Sequence, residues 1–391
     1  MRGLRRFRGR RKPTIVDVAA RAGVSAMTVS RVMNSPAAVR KETRDAVLAA
    51  IRELRFHPNR SAQALATVAR IRIGFLYSNP SAGYLSEFLF GSLDQASRMN
   101  VQLAVQRCLP DDDGMAALHR LVECGIDGLI LPPPLCDSDA VIAHVAHVDL
   151  PAVAVATARP ADSLSVVCID DYRAALEMTS YLLSLGHQDI GFIVGEGNLT
   201  ASERRLAGYR DGLEAGGIGF RPELVARGSF TYRSGLDAAE MLLDGVPSPT
   251  AIFASNDDMA AAAIAVAHVR GLVVPRDLTV CGYDDTTLAT TVWPPLTTIR
   301  QPVADMARSA LDLLVTEIRK RRQGVRAIPQ HIVQGFRLIE RQSSGAPPPI
   351  SSDPRPFSVS LGTGGPRRGG FSSSPHPSAR VRCDAKTGEK E

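Results

Sequence analysis

The side chains best suited to chemistry fall into two groups. The first is compact: Ser25, Ala26, Met27, Thr28, Ser30 and Arg31 lie within "GVSAMTVSRVMN". An arginine donates to guanine O6 and N7 or to a phosphate, a methionine touches a thymine methyl, and hydroxyls bond backbone phosphates. A small alanine lets the element that carries them sit deep, so this chemistry is that of the DNA major groove. The second group is dispersed: Asn79, Ser81, Asp170, Arg204, Arg205, Phe230, Asn256 and Asp284. Charged and amide groups make paired hydrogen bonds to hydroxyls, and an aromatic face covers the apolar side of a ring. Such a set describes a sugar-like pocket. The competing explanations are a solvated helix face for the first group and helix capping for the second, as for Asn256 and Asp257 ahead of Met259.

The compact group needs a helix and a corner. Thr14 can cap a helix through Ile15, Val18 and Ala19, apolar at i, i+3 and i+4. Gly23 suits the left-handed position that ends it, and Ser25 caps the next helix. On that second helix Val29, Val32 and Met33 share one face, leaving Ala26, Met27, Ser30 and Arg31 on the other. "VRKETRDAVLAAIRELRF" is a third amphipathic helix with Val47, Leu48, Ile51 and Leu54 inward. A helix-turn-helix of this kind places its second helix in the major groove. Pro58 stops the third helix. The segment Arg60 to Ala66 is too short to be a stable helix alone, and forms only when something organises it. Leu65 is the apolar residue there that could wedge into a minor groove, an ordinary linker being the alternative.

The dispersed group needs a larger scaffold. From Ile71 onward, short apolar runs such as "IRIGFLY", "VQLAVQ", "DGLILPP", "PAVAVA", "SVVCID", "DIGFIVG", "TAIFASND" and "LTVCGYDD" alternate with helical patterns. The alternation predicts parallel sheets flanked by helices, with ligands at the carboxyl ends of the strands. Asn79–Ser81, Asp170, Asn256–Asp257 and Asp284 all fall at such ends, and Arg204 and Arg205 are read as a loop entering a helix.

Size and charge agree with this division. The chain has 391 residues, 45% hydrophobic and 5% aromatic, enough for two or three domains. No run approaches the roughly 18 apolar residues of a membrane span, and no signal-peptide core follows the first arginines, so a cytoplasmic protein is expected. Residues 1–72 hold 17 Lys+Arg against 4 Asp+Glu, a net of +13, which leaves −7 for the remainder. A basic head on an acidic body points to a polyanionic partner for the head. Cys108, Cys124, Cys136, Cys168, Cys281 and Cys383 form no CxxC pair and no metal-ligand spacing, so buried free thiols are expected. There is no GxSxG, no phosphate-binding GxxxxGK[ST] loop and no GxGxxG. His187, ahead of a strand, reads as a packing and hydrogen-bonding residue. No enzyme, metal or cofactor is implied.

The motifs "TIVDVAARAGVSAMTVSRVMN", "VRKETRDAVLAAIRELRFHPNRSAQALA", "GIDGLIL", "LLSLGHQDIGFIVG", "ERRLAGYRDGL", "PTAIFASNDDMA", "VCGYDDTTLA" and "PPLTTIRQP" together resemble the lactose-repressor (LacI-type) family of bacterial transcription regulators, from Pro13 to about Arg341. The resemblance implies a small all-α helix-turn-helix head and an α/β two-lobed core like the periplasmic sugar-binding proteins. It implies a reader over 13–58, a hinge over 59–70 and a core over 71–342. Two stretches depart from the family: a basic arm over 1–12 precedes its usual start, and a tail over 343–391, rich in Pro, Gly and Ser and without apolar period, is read as disordered. Ala26, Met27 and Arg31 match base-reading positions, Leu65 the hinge leucine, and Thr14, Asn34 and Asn59 complete the DNA-facing set. Arg205 matches the effector-gripping arginine, with Arg204 the alternative one residue away. Asp170, Phe230, Asn256 and Asp284 fall at further effector positions, and Asn79, Ser81 and Tyr84 occupy a variable ligand loop. The implied partners are double-stranded operator DNA, a small sugar or derivative, and a second copy of the chain, with no membrane. The expected activity is allosteric control of carbohydrate uptake or catabolism genes at the bacterial nucleoid. A regulator bound to a nucleoside, a solute-binding protein and a sugar-converting α/β protein are the alternatives; the last needs a paired acid and base in the cleft, for which Asp170 and Asp284 are the candidates.

Overall fold

The computed structural model describes residues 14–34, 39–54, 70–108, 114–159 and 164–348. Asn59, Leu65, Cys383, the arm over 1–12 and the tail beyond 348 lie outside the described residues, as do the side chains of Ser30, Met33 and Asn34.

The head consists of α1 (Ile15–Ala22), α2 (Ala26–Asn34) and α3 (Lys41–Glu53). Thr14 starts α1 with a reciprocal box: its backbone N–H donates to Asp17 Oδ2 at 2.7 Å, and its hydroxyl oxygen accepts from the Asp17 N–H at 3.4 Å. Gly23 takes φ 67°, a left-handed value that a side chain resists, and so turns the chain. Ser25 Oγ then accepts from the Thr28 N–H at 3.1 Å to start α2. Val18, Ala19, Val29, Val32, Val47 and Ala50 form the core. Leu48, expected inward, is exposed. The buried row of α3 is Val47, Ala50, Ile51 and Leu54, at i, i+3, i+4 and i+7, and Leu48 lies about 100° away from its start.

The larger part holds two six-stranded sheets. The first lobe contains β1 (Arg72–Tyr77), β2 (Gln102–Arg107), β3 (Gly128–Leu131), β4 (Ala152–Val155), β5 (Ser165–Ile169) and β11 (His331–Gln334), in the order β11-β5-β4-β3-β1-β2. The second contains β6 (Ile190–Val194), β7 (Val225–Arg227), β8 (Ala251–Ala254), β9 (Thr279–Asp284), β10 (Thr297–Arg300) and β12 (Arg337–Ile339), in the order β12-β10-β9-β8-β6-β7. Helices α4 (Ala82–Met99), α5 (Met115–Glu123), α6 (Asp139–His147) and α12 (Val303–Arg322) belong to the first lobe. Helices α7 (Asp171–Ser184), α8 (Thr200–Ala215), α9 (Tyr232–Asp244), α10 (Asp257–Val269) and the short α11 (Thr287–Thr291) belong to the second. The eight apolar runs read as strands are strands. All pairings are parallel except β12 with β10. That exception follows from the path. The chain passes between lobes after β5, after β10 and after β11, and the last crossing goes directly from strand to strand. A strand that enters the second lobe from the cleft must run opposite to strands whose carboxyl ends face it.

The core runs past the expected boundary at 342. Ser343 accepts from the Val280 N–H at 2.9 Å through its carbonyl, and its hydroxyl donates to the Val280 carbonyl at 2.6 Å. His187 is buried between the Thr250 hydroxyl and the Gly345 carbonyl, each at 2.9 Å, in keeping with a structural role. Four of the five described cysteines are buried; Cys124, at the solvent end of α5, is exposed instead. Among the described residues no helix is long and apolar enough to cross a membrane.

The first lobe depends on a close approach of α4 to α12. A Cβ at Gly91 would stand 2.2 Å from the Ala304 carbonyl oxygen. Gly91→Ala therefore forces the helices apart and is expected to cost about 1–3 kcal/mol, as core overpacking does. Urea denaturation measures it; an unaltered midpoint would mean that the two helices separate freely.

Candidate DNA reader and ligand cleft

The exposed face of α2 carries Met27, 67% exposed, and Arg31. Thr28 is half-buried, its hydroxyl 2.9 Å from Ser25 Oγ, and both hydroxyls keep lone pairs for a phosphate. Ala26 does not face outward as expected: it is half-buried against the head core, because the first turn of α2 lies over the corner at Gly23. Its methyl sets the depth of the corner, while Met27 and Arg31 form the accessible surface.

A cavity of about 840 Å³ lies between the two lobes at the carboxyl ends of their strands. Asn79, Ser81, Tyr84, Arg205, Phe230, Asn256 and Asp284 all line it. Asp170 and Arg204 do not. Asp170 caps α7, accepting from the Arg173 N–H at 3.0 Å, and Arg204 is exposed, its guanidinium 5.0 Å from the Tyr172 ring centroid. Asp170 therefore supplies no partner to Asp284, and the acid–base pair of a sugar-converting enzyme is not assembled.

Arg205 lies inside α8 rather than in the loop expected before it. The helix starts early because its amino end is held from the other lobe. Asp137, which follows β3, accepts from the Thr200 N–H at 2.9 Å and from the Thr200 hydroxyl at 3.0 Å. The Thr157 hydroxyl donates to the same carboxylate at 2.5 Å. The buried Arg205 guanidinium donates to Asp171 at 2.8 Å and to the Ser255 carbonyl at 2.6 Å, and stacks 3.7 Å from the Tyr283 ring centroid. Burial opposes its charge, but Asp171, Tyr283 and Asp284 outweigh that and leave it more firmly protonated than usual. Phe230 takes a left-handed φ of 59°, and its ring lies so close over Gly195 that a Cβ there would meet it at 1.9 Å. The Asn256 amide is committed at both ends: Oδ1 caps α10 at the Met259 N–H, 2.9 Å, and Nδ2 donates to the Phe230 carbonyl at 3.0 Å. The capping explanation thus holds for Asn256 while its side chain also walls the cleft. Ser81 caps α4 and reaches across the cleft to Asp258 at 2.6 Å.

Among the described residues, two buried polar atoms on this cavity have no protein partner: the Tyr84 hydroxyl and Gln301 Oε1. Orphaned buried groups are costly unless something else satisfies them. The Gln301 amide donates to Asp284 at 2.6 Å. Sequence reasoning missed Gln301, Asp137 and Asp171. Gln301 follows the carboxyl end of β10, the position that flagged the others, but "TTIR" has too few apolar residues to stand out as a strand.

Burial pushes the Asp284 carboxyl well above the usual range, aided by neighbouring Asp257 and opposed by Arg205. Burial likewise carries Asp257 up to about 7 against hydrogen bonds from Thr298 and Thr286. Raised carboxyl values mean that the folded form holds protons the unfolded chain releases above about pH 4. Stability from these groups is complete below that pH and is lost as pH rises toward 7. Asp284→Asn mimics the protonated acid and tolerates its positive φ of 109°. The variant is expected to show a flatter fall of thermal midpoint between pH 4 and 7; an identical slope would mean that Asp284 ionises normally.

Comparison with known proteins agrees with the fold of both parts. Residues 14–59 match the family described as bacterial regulatory proteins, lacI family, and residues 179–344 match a periplasmic binding protein-like domain. The regulator DegA of Bacillus subtilis (strain 168) is 35% identical over 300 residues, 75% of this chain and 88% of its own length. The lac repressor dimer bound to operator and the anti-inducer ONPF superposes with a TM-score of 0.71 at 30% identity, over 86% of this chain and all of that one. The complex of the regulator CelR with cellobiose superposes with a TM-score of 0.65 at 31% identity, over 85% of this chain and 99% of that one. The chain belongs to the LacI family of bacterial regulatory proteins, and it is a DNA-binding transcriptional regulator rather than an enzyme.

Proposed function

We propose that this regulator is a dimeric repressor of carbohydrate uptake or catabolism genes whose cleft holds a sugar or sugar derivative, and that it works in the bacterial cytoplasm on the nucleoid. The observation that carries the reading is the pairing of an unsatisfied Tyr84 hydroxyl with an unsatisfied Gln301 oxygen beside Asp284 and the Phe230 ring. A ring bearing hydroxyls supplies donors and acceptors at its edge and an apolar face for the aromatic. The likeness to a regulator holding cellobiose and to an operator-bound dimer supports it. Phe90 and Leu93 on α4 and Met241 on α9 are large, apolar and exposed, and a second copy of the chain would cover them. A two-fold dimer presents two readers to a pseudo-palindromic site.

In this reading Met27 and Arg31 contact bases; Ser25, Thr28 and Ser30 contact phosphates; and Ala26 fixes how close the helix sits. Thr14, Asn34 and Asn59 flank them. The hinge over 59–70 folds with the DNA and inserts Leu65. Arg205, Asp284, Tyr84, Ser81, Asn79, Phe230 and Asn256 contact or wall the effector. Closure of the lobes on the effector alters the hinge equilibrium, a coupling of about 1–3 kcal/mol.

Arg31→Ala is expected to cost about 1–3 kcal/mol on the specific site. Titration of a promoter fragment and of random duplex at one salt concentration reads this; equal losses on both would remove Arg31 from base recognition. For the cleft, saturating mono- or disaccharide should raise the thermal midpoint, a ligand at 100 times its Kd adding about 2.7 kcal/mol. A shift given by purine bases or nucleosides alone would replace the sugar reading with the nucleoside one.

A further inference from the structure

The strands of the first lobe are parallel, so their amino ends form one edge, at the end of the lobe away from the cleft. The chain enters the lobe there, at Arg70, directly after the hinge segment. Contacts run continuously along that edge. Arg70 bonds the side chain of Asn100, ahead of β2, at 3.0 Å. The Arg72 N–H donates to Asp127, ahead of β3, at 2.8 Å, and Arg322 at the end of α12 pairs with the same carboxylate at 2.7 Å. Arg321 pairs with Asp149, ahead of β4. The last turn of α12 supplies Arg319 and Lys320 as well, and Arg326 follows; all five of these α12-end cations are exposed.

This edge reverses the charge of the body. Residues 73–348 hold 22 Lys+Arg against 32 Asp+Glu. At the edge, Arg70, Arg72 and the five cations of the α12 end face Asp127, Asp149 and Glu317, while Arg120 and Glu123 at the end of α5 offset each other. Asp127 and Asp149 are already engaged by Arg322 and Arg321, and Lys320 acts on Glu317. No ion pair holds Arg319 or Arg326 among the described residues. The sixteen-residue step from Leu54 to Arg70 spans at most about 55 Å, so the reader, whose third helix is capped at Leu54, is tethered within that reach of the edge.

We propose that this basic edge of the first lobe is a second DNA contact, in which Arg319 and Arg326 engage backbone phosphates of the duplex gripped by the reader. It rests on DNA binding and not on the identity of the effector. Phosphate contacts position a protein without reading sequence, so the edge adds affinity and salt dependence but no specificity.

The test uses the full chain carrying Arg319→Gln and Arg326→Gln, with random duplex titrated across a KCl series. Loss of two phosphate contacts lowers the slope of log K against log [KCl] by about 1.8 per protomer. The preference for a promoter fragment over random duplex stays as in the parent, as does the thermal midpoint. Arg319→Lys with Arg326→Lys restores the slope. A control with the same charge change in the second lobe, Arg227→Gln with Arg233→Gln, leaves the slope at the parent value. An unchanged slope in the edge variant, or an equal fall in the control, overturns the proposal while leaving the reader's role intact. Failure of the parent to bind any duplex overturns both.

Discussion

The buried pair between Asp171 and Arg205 is the constraint on which the cleft depends. Asp171 is the first residue of α7, just past the first crossing between lobes, and Arg205 projects from α8. One carboxylate oxygen receives both the Arg205 Nε–H at 2.8 Å and the Tyr283 hydroxyl at 2.7 Å, so three elements of the second lobe meet on it. Removing one partner from such a pair leaves an uncompensated buried charge and costs about 3–5 kcal/mol. The pair also sets the electrical character of the cavity. Asp171 sets its carboxylate against the Arg205 guanidinium, and burial pushes the Asp284 carboxyl well above its usual range.

Closure of the lobes rests on a different set of bonds. Asp137 and Thr157 of the first lobe hold the amino end of α8 in the second, and Ser81, the cap of α4, bonds Asp258 in the second. Each lobe thus supplies a polar group to the start of a helix in the other. These bonds exist only when the lobes are together, so they bias the equilibrium toward closure before any ligand enters. A ligand shifts that equilibrium only by its differential affinity for the two arrangements. Since cavity residues come from both lobes, a bound ligand touches more of them in the closed form, which is the source of the difference.

The readable part of the sequence was the part whose signal is local. Val18, Val29 and Val32 follow helical spacing, Gly23 marks a corner by its backbone freedom, and eight apolar runs announce eight strands. The less readable part depends on partners distant in sequence. The start of α8 is fixed by Asp137, 63 residues earlier, and no local cap at Leu199 announces it. Asp170 and Asp171 are adjacent acids that sequence alone does not separate. The first caps a helix, while the second turns into the interior, where Arg205 and Tyr283 wait. β10, β11 and β12 are four residues or fewer, and "TTIR" carries threonines whose hydroxyls are consumed by Asp257, Ser344 and Arg341, so its polarity conceals its burial. Leu48 and Ala26 erred for one reason: a helical face is about a third of a turn wide, and residues at its margin are assigned by the neighbour they meet.

The path of the chain connects ligand and DNA through leverage. Gln301, which lines the cavity, and Asp171, which holds Arg205 there, both sit where the chain crosses between lobes, so the cavity is tied to the pivot itself. A change of lobe angle around these crossings moves atoms near the pivot little. It moves the amino ends of the first-lobe strands more, because a six-residue strand such as β1 spans about 20 Å. Those ends carry Arg70, where the hinge segment joins. The lobe is packed around α4 and α12 with a glycine-sized separation at Gly91, so it transmits an angle as a rigid body rather than absorbing it.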